Sequence, residues 1–258
     1  MRGTWSASAV SVTAAAAVIL LAGCNRATPT SPSSSVARLT ERIVTPHFVF
    51  NYSANDRVDT EWQEAYHAWA VTQLGVTPAV IQYNKYRDRG QMGAITGRGN
   101  TNGYAEPSAS TIHTIWPTDN HEVVHVYAGP WGFPAALFVE GLAVAHQANP
   151  PAGIFTPRWN GTPVHELARR FRSQGQLLPI ASIAETVAFR SHDAEITYPQ
   201  SGSFVRFLID TEGIAPMRRL YGSMSNDAPL AAVRAAFLQV YGFSLDEAER
   251  RWLEFLTT

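Results

Sequence analysis

The sequence predicts an α+β protein, and three observations carry that prediction. From Val36 to Trp116, short runs of strand-like alternation are separated by stretches with helical spacing. From Thr118 onward the helical period takes over and persists nearly to the C-terminus. The chain from residue 37 has ordinary globular composition and no internal repeat, enough for one large domain or two intimate subdomains. The expected organisation is a small mixed α/β subdomain over residues 37–117, including an edge strand, and a mostly helical subdomain over 118–258.

The N-terminus reads as a targeting signal. Arg2 supplies a positive start, Ala14 to Leu21 an apolar run, and Leu21-Ala22-Gly23-Cys24 small residues ahead of a cysteine. The apolar run falls short of the roughly 20 residues that a membrane span needs. The four residues resemble the lipobox of bacterial lipoproteins, in which the cysteine becomes the lipid-bearing first residue of the mature chain. Residues 1–23 are therefore expected to be a signal peptide, with a lipid on Cys24. Cys24 is the only cysteine, so there is no disulfide framework. Residues 24–36, with Ala27-Thr28-Pro29-Thr30-Ser31-Pro32-Ser33-Ser34-Ser35, lack apolar periodicity and read as a flexible tether. Net charge is −1 and Lys85 is the sole lysine, a balance that gives no reason to expect a nucleic-acid partner.

Within the α/β part, Phe48, Phe50 and Tyr52 alternate as a half-buried strand requires. Trp62, Tyr66 and Trp69 fall at helical spacing over Thr60 to Leu74, and Gly75 ends that helix. Pro78 to Tyr83 is a second strand, and Arg87 to Ile95 a short helix. Asn102-Gly103 signals a turn, after which Gly103-Tyr104-Ala105 leads to a strand over Thr111 to Trp116. Beyond Thr118, helices are expected near 119–128, 135–147, 163–172, 198–211, 215–222, 228–240 and 245–256. Thr162-Pro163 gives a cap followed by proline at a helix start, and Ser244 with Glu247 forms a capping box. Gly213 and Gly242 sit where helices should stop.

One of those helices carries His121-Glu122-Val123-Val124-His125. Residues four apart on a helix are separated by about 40° and roughly 6 Å of rise, so the two imidazoles share a face one turn apart. That is the spacing two ligands of one zinc ion need. Glu122 lies about 100° round, beside the metal position, where a carboxylate can act on water. Asp119 or Thr118 can cap the helix start. A catalytic zinc site takes a third protein ligand and keeps a fourth position open. Gly129-Pro130-Trp131-Gly132-Phe133-Pro134 forces a turn, and the next helix is apolar nearly all round except for Glu140. A lone carboxylate there needs a partner. Folding back at the turn would bring it to His121 and His125; the alternative partner is a distant arginine.

These motifs, His121-Glu122-Val123-Val124-His125 followed by Glu140-Gly141-Leu142-Ala143, resemble the gluzincin zinc peptidases, in particular the bacterial peptidase MA-like proteins. Gly103-Tyr104-Ala105, the stretch Tyr198-Pro199-Gln200-Ser201-Gly202-Ser203-Phe204 and the ending from Phe237 to Leu245 with Glu249 and Trp252 are similar to that family as well. The likeness covers nearly the whole mature chain, and its specific part is the pair of zinc motifs. It implies a zincin-like fold, one zinc ion per chain held by His121, His125 and Glu140, and Glu122 as general base and proton shuttle. It further implies that Tyr198, at a helix start, donates to the oxyanion, with His192 as the rival donor. The strand Thr111 to Trp116 would be the edge along which an extended peptide lies. The sequence departs from thermolysin-like members in having no Asp shortly after Glu140, where His146 stands nearby instead. His165-Glu166-Leu167-Ala168-Arg169 lacks a closing histidine and is a decoy; His113 reads as structural.

The function so implied is hydrolysis of peptide bonds by a zinc-activated water in the cell envelope, with the chain lipid-anchored and exposed to the periplasm or the exterior. Partners are then a peptide or protein substrate and the membrane, through the lipid. A rival of another class is a catalytically silent envelope protein of the same fold that binds peptides or plays a structural role. A structural metal site, however, has no use for Glu122 and would close with a fourth ligand. Hydrolysis of an amide in cell-wall material would use the same residues.

Overall fold

The computed structural model describes residues 38–148 and 155–257. The signal peptide, Cys24 and the whole of the tether lie outside these residues. Five strands form one mixed sheet: β1 (Glu41–Val44), β2 (Phe48–Tyr52), β3 (Ile81–Lys85), β4 (Gly103–Glu106) and β5 (Thr111–Thr114), in the order β1-β2-β3-β5-β4. β2, β3 and β5 run parallel in the centre, and β1 and β4 are antiparallel edges. α1 (Thr60–Leu74) makes the crossover from β2 to β3, because parallel neighbours require one. Asp59 caps its start by accepting from the Trp62 N–H, and Gly75 ends it at φ 62°. α2 (Arg89–Thr96) is capped in the same way by Asp88.

The α+β expectation holds: the rest of the described chain is helical apart from one short hairpin. α3 (Asn120–Ala128) and α4 (Ala136–His146) are followed by β6 (Arg158–Trp159) and β7 (Thr162–Pro163), then α5 (Val164–Ser173), α6 (Thr186–Ser191), α7 (Ala194–Glu212), α8 (Ile214–Tyr221), α9 (Leu230–Tyr241) and α10 (Leu245–Phe255). The sheet and the helices bury one shared core, from Phe48, Phe50, Tyr66 and Ile112 through Val124, Leu137 and Phe138 to Phe204, Phe237 and Trp252. Among the described residues, no helix is long and apolar enough to cross a membrane.

Four local expectations need correction. Thr111 to Trp116 is not the edge: β5 lies between β3 and β4, and the edge on that side is β4. The chain before it forms an antiparallel partner that covers β5, with a 3₁₀ turn at Pro107–Ala109 between them. Thr162-Pro163 does not open a helix but pairs with Arg158–Trp159. Asn160 and Gly161 both take positive φ, 47° and 82°, as a two-residue type I′ hairpin turn requires. Tyr198 is not at a helix start, because α7 begins four residues earlier, where the Asp193 side chain accepts from the Glu195 N–H. Ser244 caps α10 through the Glu247 N–H, while the Glu247 carboxylate turns to Arg250 and Arg251 instead of closing a capping box.

Candidate metal centre

The α3 helix is set by its cap and its buried side. The Asp119 carboxylate accepts from the Glu122 N–H at 3.1 Å, and Val123, Val124 and Tyr127 enter the core. This leaves His121 and His125 on the opposite, partly open face, with ring centroids 4.9 Å apart and planes nearly perpendicular. The chain then turns through Gly129–Trp131. Gly132 follows at φ 133°, where a Cβ would lie 2.4 Å from the Tyr221 carbonyl oxygen, so only glycine fits. α4 packs back on α3 and is buried along its whole length.

Glu140 therefore returns to the histidines, as the forced turn before its helix predicts. Its Oε2 lies 3.2 Å from His121 Nε2 and 3.5 Å from His125 Nε2. One donor atom from each residue lies within 4.8 Å of the other two, a group that can hold a metal ion. The Nδ1 of His121 faces Gln147 Oε1 at 3.0 Å. An acceptor there places the imidazole proton on Nδ1 and leaves the Nε2 lone pair for a metal. Gln147, not His146, is thus the outer partner of a candidate ligand. His146 turns its Nδ1 to the Leu142 carbonyl, and its Nε2 is buried without a hydrogen bond.

The electrostatics favour a cation at this point. Burial disfavours a charged Glu140, but hydrogen bonds from His121 and His125 outweigh it and hold the carboxyl well below its usual range. Burial likewise works against a protonated His121, yet Glu140, Glu122 and Asp119 raise its pKa to about 9. Buried negative charge that retains protons on a histidine is charge a dication can compensate in their place. Glu122 is pushed up to about 7, first by burial and then by the Asp119 carboxylate.

The three donors open onto a cleft of about 1940 Å³. Its lining includes Glu122, Tyr198, Trp159, Arg190 and the edge residues Gly103 to Ala105. Gly103 sits against the general-base candidate: a Cβ there would come within 3.2 Å of Glu122 Oε1 and 2.9 Å of Asp119 Oδ2. The edge also has a free backbone register. The Asn102 carbonyl accepts from the Ile115 N–H, and bonded and non-bonded pairs alternate along an antiparallel ladder. Gly103 and Ala105 therefore turn their N–H and C=O groups away from β5. The Thr101 hydroxyl donates to the Gly103 carbonyl, which leaves the outward groups of Ala105 at the cleft.

Tyr198 stands at this cleft, its ring centroid 6.1 Å from that of His121 and flanked by Phe189 and Trp159. His192 is exposed at the end of α6 and does not line the cleft. What α6 contributes instead is Arg190, whose Nη2 lies 2.8 Å from Glu140 Oε1. Both partners foreseen for the buried carboxylate are thus present, one on each oxygen. No sequence signal marks Arg190, which lies fifty residues downstream of Glu140. Gln147 could have been noticed as the first polar residue beyond a wholly buried helix. The other histidines are elsewhere: His113 is stacked between Tyr86 and Tyr104, and His165 faces the Ser203 hydroxyl at 2.9 Å. No protein-family model and no curated protein matches the chain.

Proposed function

We propose that this chain is a zinc-dependent peptidase of the gluzincin type, acting in the cell envelope from a lipid anchor on Cys24. The observation that carries the reading is the convergence of His121, His125 and Glu140 on one point, with Glu122 beside them and an open cleft in front. Two imidazoles and a carboxylate suit zinc, and three protein ligands leave the open position that catalysis requires. Zinc bound there supplies Lewis acidity toward water and the scissile carbonyl.

The chain's own residues do the rest. Glu122 accepts the proton of the attacking water on a carboxylate oxygen and passes it to the departing amine nitrogen. Tyr198 donates its phenolic hydrogen to the oxygen that gains charge. Burial, with the Glu140 carboxylate, pushes that phenol up to about 12, so it holds its hydrogen at neutral pH. An extended peptide pairs with the outward N–H and C=O of Ala105, which brings its backbone past the adjacent Gly103 and so alongside the Glu122 carboxylate.

The test is metal analysis of the purified full chain together with a peptide-library digest by wild type and Glu122→Gln. About one zinc per chain in both proteins, and cleavage by wild type alone, is the expected result. A chain without bound metal at neutral pH, or full activity in Glu122→Gln, overturns the proposal.

A further inference from the structure

The two oxygens of Glu140 have different partners. Oε2 faces His121 and His125, whereas Oε1 accepts from Arg190 Nη2 at 2.8 Å. The other terminal nitrogen of the same guanidinium, Nη1, reaches the Tyr198 hydroxyl at a longer 3.4 Å. Arg190 therefore joins the candidate third ligand to the candidate oxyanion donor.

The fold holds this bridge in register. The Thr186 hydroxyl accepts from the Ala136 N–H at 2.9 Å, at the first residue of α4, and donates to the Asn226 carbonyl. Arg190 follows Thr186 by four residues, and Glu140 follows Ala136 by four. The two contacts thus lie in line, one turn apart on each helix. Phe189, fully buried, pins α6 to the core beside Arg190.

We infer that Arg190 is a positioning residue. Its guanidinium holds Glu140 by Oε1, so that Oε2 alone meets the two imidazoles, and it ties that carboxylate to the Tyr198 phenol. Two effects on metal binding oppose each other. The cation repels a dication, but its side chain is 51% exposed and water screens it. The carboxylate it orients is only 8% exposed, and losing such an orienting partner lowers metal affinity by about 10–100-fold. Orientation outweighs repulsion.

The substitutions Arg190→Met and Arg190→Lys in the full chain separate the two halves of the bridge. Zinc affinity is measured by competition with a chromogenic chelator, with circular dichroism to verify folding. Arg190→Met should bind zinc about 10–100-fold more weakly than wild type. Arg190→Lys should stay within about threefold, since one ammonium can still meet Oε1. A single ammonium lacks the fork that also reaches Tyr198, so Arg190→Lys should show a lowered kcat at little-changed KM. Arg190→Met that binds zinc as tightly as wild type, or more tightly, overturns the clamp on Glu140. Wild-type kcat in Arg190→Lys overturns the tie to Tyr198. The kcat arm rests on the peptidase reading. A wild type that binds zinc and cleaves nothing defeats that reading, while the zinc affinities still decide the role of Arg190.

Discussion

The spacing between Glu140 and Tyr198 depends on how closely α4 and α7 approach, and Gly202→Ala tests that dependence. A methyl group at 202 would lie 2.3 Å from Val144 Cγ1 and 2.7 Å from Val144 Cβ. Carbon atoms in good contact are about 3.5–4.0 Å apart. Rotating the Val144 side chain moves Cγ1 but not Cβ, which is fixed to the α4 backbone, so about 1 Å of helix separation is required. Overpacking of this kind costs about 1–3 kcal/mol, and contact with a backbone-fixed atom places it near the top of that range. Replacing a mid-helix glycine by alanine returns about 1 kcal/mol of helix propensity. The net loss is about 2 kcal/mol, which for a chain of this size lowers Tm by about 4–8 °C. Scanning calorimetry measures it. Glu140 lies one turn before Val144, and Tyr198 one turn before Gly202, so parting the helices there should lower kcat as well. A Tm at or above wild type refutes the reasoning.

Two further predictions follow from the register of the edge and from the buried histidines. Ala105→Pro removes an N–H that β5 does not use, so Tm should move by no more than a degree or two. KM for a cleaved peptide should rise about fivefold or more, the equivalent of one lost hydrogen bond of about 1 kcal/mol; an unchanged KM refutes edge pairing. His146 is held at about 4 by burial, whereas in the unfolded chain it titrates near its ordinary 6.5. Between those values the unfolded state binds more protons, so acid favours unfolding and stability falls as pH drops from about 6.5 to 4. In urea titrations of metal-free protein, His146→Leu should remove a part of that fall, on the order of 3 kcal/mol at pH 4. An identical pH slope in both proteins refutes it.

Elements defined by local chemistry were legible in the sequence, and elements defined by distant partners were not. α1 was visible because Trp62 and Tyr66 repeat at helical spacing and Gly75 ends it in the left-handed region. α4 was visible because an almost unbroken apolar run after a forced turn has nowhere to go but the core. The position of β5 was not, because strand order depends on which neighbour covers an edge, and four-residue β4 carries too little pattern to announce itself. β6–β7 was missed although Asn160-Gly161 is a strong hairpin signal, since strands of two residues have no period. The start of α7 was misplaced because Pro199 lies within it, where sequence rules expect a helix to begin.

The candidate site divides along the same line. His121, Glu122 and His125 are set by one helix and one cap, so their spacing alone fixes their geometry. Glu140 needed only one turn to be inferred, because a carboxylate in so apolar a helix demands a counter-charge and the nearest unexplained groups were the two imidazoles. That reasoning supplied one partner for a group with two oxygens. A carboxylate this deeply buried leaves little of either oxygen to water, so the second oxygen also needs a partner, and Arg190 meets it. The need for a second donor was present in the sequence, but its identity was not, because Arg190 reaches Glu140 through the packing of α6 on α4. The helical motif therefore defines the candidate donors, and the tertiary fold determines how firmly they are held.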